Sequence, residues 1–229
     1  SRHGVGEFWC HKLDINGNLQ WRRYFGGTSN DRSYDAIETH NGDFVLVGAT
    51  ESQDVDISKP RGSYDFWVIK INATGDLIWE RSIGGSDYDS ASSIIETLSG
   101  EYLIAGQSYS QDIDVLNPQG SSDILLAWIS QEGVLRKTKN LGHQGFETVN
   151  QLVQRSDGTL LAIGHSTSSF ISQDQENQLN NDVLLVHTLP NGSEISSYTL
   201  SGEGLNIGES LTTSADGKII VVGSTESTS

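Results

Sequence analysis

The chain has 229 residues, 35% of them hydrophobic, with five Trp, seven Tyr and six Phe, an aromatic content that argues against disorder. A net charge of −16 repels phosphate backbones and anionic membrane surfaces, which argues against nucleic acid as a partner. The lone Cys10 precludes an internal disulfide, and no apolar run approaches the ~18 residues needed to cross a bilayer. Nothing resembles a signal peptide. Met is absent even from position 1, which predicts a processed chain or an excised fragment.

In chain order, the first predicted element is "EFWCHKLDINGNLQWRRYFGG" at 7–27, two apolar runs about a turn at Gly17. Next come "AIETH", a turn at "NGD", and "FVLVGAT", ending at Thr50. After a long loop, "DFWVIKIN", a turn at Gly75 and "LIWERSIGG" repeat the opening hairpin. The same sequence of events recurs as "SIIET", "YLIAGQS", "DILLAWIS" and "LRKTKNLG", then more loosely to residue 200, and stops after "SLTTS" and "KIIVVGS". Apolar runs of this short length suit strands better than helices. We label the four strands of each unit A, B, C and D.

Three glycine series share one register. Gly17, Gly75, Gly133 and Gly192 recur at intervals of 58, 58 and 59, as do Gly42, Gly100, Gly158 and Gly217, and Gly48, Gly106, Gly164 and Gly223. The chain is therefore four copies of one unit, and the glycines are expected to supply the positive φ of short hairpin turns. Four-stranded antiparallel units at this period predict an all-β, four-bladed β-propeller forming a single domain over 1–229. A β-solenoid is the alternative, though its period is usually shorter. Blades are expected at about 36–82, 94–140 and 152–200. The fourth would join 210–223 to 7–25, the N-terminal strands pairing with the C-terminal ones so that no edge stays open. A larger wheel, or two copies forming an eight-bladed one, is the competing arrangement.

The stretch from 52 to 108, "SQDVDISKPRGSYDFWVIKINATGDLIWERSIGGSDYDSASSIIETLSGEYLIAGQS", resembles a β-propeller repeat widespread in secreted and cell-surface bacterial proteins. The likeness spans all four units but weakens after 124, and "SFISQDQENQLNND" departs from the usual loop. The resemblance implies a module on the outside of a bacterial cell. It implies no catalytic residue.

Strand order puts the short A–B and C–D turns on one face and the long B–C and D–A loops on the other, which is the candidate for recognition. Tyr34, Tyr64 and Tyr88, with Asp31 and Asp89, are the expected ligand contacts there. Strand C begins with Glu7, Asp65, Asp123 or Asp182, and a D-x-D pair precedes it twice, at Asp54 and Asp56 and at Asp112 and Asp114. Asp54, Asp56, Asp65, Asp112, Asp114 and Asp123 could hold calcium, which wants six to eight oxygens. The alternative is that they cap turns and bond loop amides. Trp21 and Trp79, and Trp9 and Trp67, occupy equivalent positions and are expected to pack between blades. Cys10 is expected to be a buried, inert thiol.

No nucleophile elbow, metal-binding histidine pair or phosphate loop is present. The expectation is a non-catalytic extracellular binding or scaffold module, monomeric unless the ring fails to close, presenting an acidic loop face to a protein or glycan. The alternatives are a glycan hydrolase or lyase using paired carboxylates, and a ligand-free spacer in a large surface adhesin.

Overall fold

In the computed structural model, which describes residues 4–168, 180–202 and 204–226, every regular element is a β-strand. The chain opens with β1 (Phe8–Leu13) and β2 (Leu19–Phe25). Blade one is β3 (Asp31–Glu38), β4 (Phe44–Thr50), β5 (Asp65–Ile71) and β6 (Leu77–Ile83). Blade two is β7 (Asp89–Glu96), β8 (Tyr102–Ser108), β9 (Asp123–Ile129) and β10 (Leu135–Leu141). Blade three is β11 (Phe146–Gln154), β12 (Leu160–Ser168), β13 (Asn180–Thr188) and β14 (Glu194–Leu200), and β15 (Asn206–Thr213) and β16 (Ile219–Thr225) end the chain. Each blade is an antiparallel meander in the order A-B-C-D.

The near-continuous apolar runs of strands B and C follow from burial on both faces. Along blade one, Val45, Val47, Phe66 and Val68 join the core shared with blade two. The alternate residues Leu46, Trp67 and Ile69 face Phe8 and Phe25 of the opening hairpin. Blades two and three share a further core around Leu126, Trp128 and Leu152, and Leu161 and Ile163 pack on Leu211 of β15. Each blade is thus filled on both sides by its neighbours, and side-chain alternation sends successive residues to opposite interfaces.

Hydrogen bonds repeat the same order. On the inner strands, Ile94 N donates to Asp35 Oδ2 (2.9 Å), Leu152 N to Ser93 Oγ (3.2 Å) and Leu211 N to Gln151 Oε1 (2.7 Å). On the outer strands, Trp21 Nε1 donates to Ala73 O (3.1 Å) and Trp79 Nε1 to Gln131 O (3.0 Å), each reaching the C–D turn of the next blade. Trp21, Trp79 and Trp67 do pack between blades, whereas Trp9, 60% exposed, does not.

Two glycine series behave as expected, with φ from +79° to +82° at the C–D turns and from +81° to +85° at the A–B turns. The third does not. Gly48, Gly106, Gly164 and Gly223 lie inside strand B, opposite a register shift in strand A. A Cβ there would sit 1.9–2.1 Å from a strand A carbonyl oxygen. These glycines are required by close backbone approach, not by turn geometry.

The expected closure of the ring is also not observed. Among the described residues, β1–β2 and β15–β16 are separate two-stranded sheets with no ladder between them, so the four units form an open arc of half-blade, three blades and half-blade. Trp9 is 60% exposed whereas its equivalent Trp67 is fully buried. Strand pairing within a blade is local, but closure requires the turn between successive blades to bring β1 round to β16. Over this chain it does not.

Candidate functional site

The B–C and D–A loops share one face, tied together by parallel bridges from the start of one strand C to the start of the next strand A, Tyr64 to Tyr88 and Ser122 to Phe146. Those bridges place aromatic rings in a row. Tyr64 and Tyr88 have centroids 5.3 Å apart, Tyr88 and Tyr109 5.9 Å, and Tyr109 and Phe146 6.2 Å. The ladder crosses from blade one to blade three. The Tyr64 hydroxyl lies 2.9 Å from the Asn30 amide and 3.1 Å from Glu51 Oε2, and burial, with the nearby Glu51 carboxylate, pushes its pKa up.

Beside the ladder, a pocket of about 550 Å³ opens among the inner strands. Every strand A carries a bulge that leaves one residue unpaired: Tyr34, Ser92, Asn150 and Glu209. Bulges re-aim side chains, and Tyr34, Ser92 and Asn150 all line this pocket. Gln107, Thr148, His165 and Asn181 add donors and acceptors. Thr148 Oγ1 lies 3.0 Å from His165 Nδ1, and burial lowers the His165 pKa, keeping the imidazole neutral at pH 7. Among the described residues, no carboxylate, Lys or Arg lines the pocket.

Of the residues singled out from sequence, Tyr34 and Tyr88 line the pocket and Tyr64 extends the ladder. Asp31 and Asp89 do not line the pocket. Both are buried. Asp31 accepts hydrogen bonds from Thr50 Oγ1, Ser52 Oγ (2.9 Å) and Gly27 N (2.9 Å), and Asp89 from Ser110 Oγ (2.8 Å) and Gly85 N (2.8 Å). Of the acids on the face predicted from position, Asp31, Asp65, Asp89, Asp123 and Glu147 are buried, whereas Asp54, Asp87 and Asp112 stay exposed.

The six proposed calcium ligands do not gather into a cage, and no group of three His, Cys, Asp or Glu side chains among the described residues is placed to hold a metal. They bind the chain instead. Asp54 accepts Thr28 N and Oγ1 (both 2.9 Å), and Asp56 accepts Gly26 N (3.1 Å). Asp112 accepts Ser86 N and Oγ (both 2.8 Å), and Asp114 pairs with Arg61 (3.2 Å). Asp65 accepts Arg61 N and Asp123 accepts Gln119 N, both at 2.7 Å. Between the paired aspartates, Val55 and Ile113 adopt φ of 60° and 57°, a strained conformation for β-branched residues. In both D-x-D loops the first carboxylate is turned to the preceding D–A loop. Each motif is a staple between neighbouring blades.

Sequence reasoning missed Tyr109 and Phe146. Phe146 occupies the position of Tyr88 in the next repeat and was legible from the repeat register, whereas Tyr109 replaces Glu51 and Thr167 at its position and left no periodic signal.

It also missed that the acids beginning strands C and A meet across blades. A Cβ on Gly84 would lie 3.0 Å from Asp65 Oδ1 and 2.3 Å from Asp89 Oδ2, and one on Gly142 2.4 Å from Asp123 Oδ1 and 2.7 Å from Glu147 Oε2. Burial, then the charge of Asp89, pushes Asp65 from 3.8 up to about 6, and burial likewise raises Asp89 and Glu147. A carboxyl whose folded pKa is raised stabilises the native state when protonated, and that stability is lost as pH climbs from about 4 through about 6. For Asp65 the full difference corresponds to ~3 kcal/mol, reduced by residual solvent screening to on the order of 1–2 kcal/mol. Urea denaturation should therefore give a higher midpoint at pH 5 than at pH 7.5, and Asp65→Asn should raise the pH 7.5 value and flatten the slope. A wild-type midpoint that climbs over this interval would contradict the assignment.

No family model matches the chain, and no curated protein matches it. Solved structures do. The chain is similar to a protein of unknown function from Bacteroides caccae, with 12% identity and a TM-score of 0.51 over 95% of this chain and 65% of that one. It is also similar to MPT-4, a mannose phosphorylase from Leishmania mexicana solved with a phosphate ion, with 12% identity and a TM-score of 0.53 over 90% of this chain and 66% of that one. The chain spans less than two thirds of the length of either. At these identities the likeness carries the fold, an all-β, propeller-like arrangement of four-stranded antiparallel blades.

Proposed function

We propose that this chain is a non-catalytic binding module, acting outside the cell, whose aromatic ladder and adjoining pocket hold a neutral glycan. The observation that carries the reading is the row of four rings crossing three blades beside an uncharged pocket of about 550 Å³. Aromatic faces supply apolar contact area, and the Gln107, Asn150 and Asn181 side chains supply the few directed polar groups that fix orientation. A net charge of −16 disfavours anionic ligands.

Hydrolysis by two carboxylates is not what this pocket is equipped for. The paired acids lie buried between blades, and the pocket's own described lining offers only a neutral imidazole. The likeness to a mannose phosphorylase is compatible with a sugar ligand. The described lining has no Lys or Arg that would hold a phosphate.

The test is a glycan array followed by calorimetry on any neutral oligosaccharide retained. Tyr88→Ala and Tyr109→Ala should each weaken binding about tenfold or more, as central contacts do. Leu98→Ser, at an exposed A–B turn on the opposite face, should change nothing. An array without hits, or hits indifferent to Tyr88 and Tyr109, would retire the proposal.

A further inference from the structure

Among the described residues that line the pocket, His165 is the one whose side chain ordinarily changes charge between about pH 5 and pH 8. It stands on β12, opposite Thr148 of β11 and Val183 of β13. Its half-buried ring lies against Thr148, with Nδ1 3.0 Å from Oγ1, and forms part of the pocket wall. The pocket is therefore built around a group that a proton can switch.

The elements packed against β12 are β11, β13 and β15, and their described charged groups leave the ring nearly alone. Glu147 of β11 and Asp182 of β13 oppose Ser166, one residue on from His165, and alternation sends them to the other face of the sheet. Glu147 Oε2 accepts His143 N there (3.2 Å). His187 opposes Leu161, further along β13. Glu209, the bulge residue of β15, is the charge that acts on His165 and favours its protonation, but burial outweighs it and pushes the imidazole below the usual histidine range. Across the pocket stand the phenols of Tyr34, Tyr88 and Tyr109.

We propose that a proton on His165 and a glycan in the pocket exclude one another, so that the site holds its ligand at neutral pH and releases it in mild acid. The inference rests on the pocket being the glycan site. Two effects act in the same direction. A neutral imidazole keeps one nitrogen lone pair able to accept a sugar hydroxyl, whereas imidazolium is a donor at both nitrogens. The charged ring also needs water, and the open side of the pocket is where it finds it; a glycan filling that space removes the water and disfavours the charge. Whatever the glycan does to proton affinity, the proton must do to glycan affinity.

The experiment is the glycan array at pH 7.5 and pH 5, then calorimetry across that interval with the neutral oligosaccharide it captures. The wild type should bind about fivefold or more weakly at pH 5, with circular dichroism unchanged. His165→Gln keeps a donor and an acceptor but cannot ionise, so its affinity should be level across the interval, whatever its value at pH 7.5. Asp65→Asn, which removes a titrating carboxyl outside the pocket, should keep the wild-type slope. In NMR titrations of histidine-labelled protein, the signal lost in His165→Gln should have a lower midpoint with the oligosaccharide than without it. A wild-type affinity that is level or rises in acid, a slope that survives His165→Gln or vanishes in Asp65→Asn, or an imidazole midpoint that the oligosaccharide does not lower would each overturn the gate and leave glycan binding standing. An array without hits at either pH would overturn both.

Discussion

Trp67→Ala will cost about 3–5 kcal/mol of folding stability, and the same truncation at Trp9 will cost less than about 1 kcal/mol. The two residues stand at equivalent positions of adjacent repeats, so composition and local strand context are nearly matched. What differs is the neighbour. Trp67 is fully buried, with the Phe8 ring 4.6 Å from its own centroid and its indole N–H donating to Glu80 Oε2 at 3.1 Å. Truncation would open a cavity between the opening hairpin and blade one and would deprive the Glu80 carboxylate of a donor. For a chain of this size, each kcal/mol moves the melting midpoint by roughly 2–4 °C, so a fall of about 10 °C is expected. Thermal and urea unfolding followed by circular dichroism will read it. Equal losses at Trp9 and Trp67 would mean that the opening hairpin is covered on both faces, against the open arc described above.

Gly48→Ala will destabilise the chain by about 3 kcal/mol, the upper end of ordinary overpacking. Its Cβ would sit 1.9 Å from Arg32 O and 2.8 Å from Ser33 Cα. Both are backbone atoms at the bulge where strand A shifts register between Ser33 and Asp35, so neither can swing aside as a flexible side chain would. Gly42→Ala is the instructive comparison. Nothing lies within 4 Å of its Cβ position, but its φ is +82°, so it should lose only about 1 kcal/mol, from the left-handed backbone alone. Urea midpoints of the two variants, measured side by side, check the distinction. A Gly48 variant as mild as the Gly42 variant would show that strand A can slide out of its bulge, and the aim of Tyr34 into the pocket would be in doubt with it.

How much of the site was visible beforehand can be traced residue by residue. Tyr34, Tyr64 and Tyr88 were recognisable because they break the polar character of long loops. Phe146 follows from the repeat register. Tyr109 does not, because its counterparts Glu51 and Thr167 are not aromatic. The aspartates misled for a physical reason: a carboxylate on a loop looks the same in sequence whether it faces solvent, a cation or a backbone amide. Only the approach of one blade to the next turned Asp54, Asp56 and Asp112 into staples and buried Asp65 against Asp89.

The repeat, the four strands of each unit, their order and the face carrying the long loops were all determined by the linear chain, because they depend on apolar alternation and turn residues within a single repeat. The pocket, the shared burial of acids and the failure of the ring to close were decided only in three dimensions. Each depends on how far one blade turns relative to the next. That angle comes from side chains of two units wedged into a common interface, and no single unit encodes it.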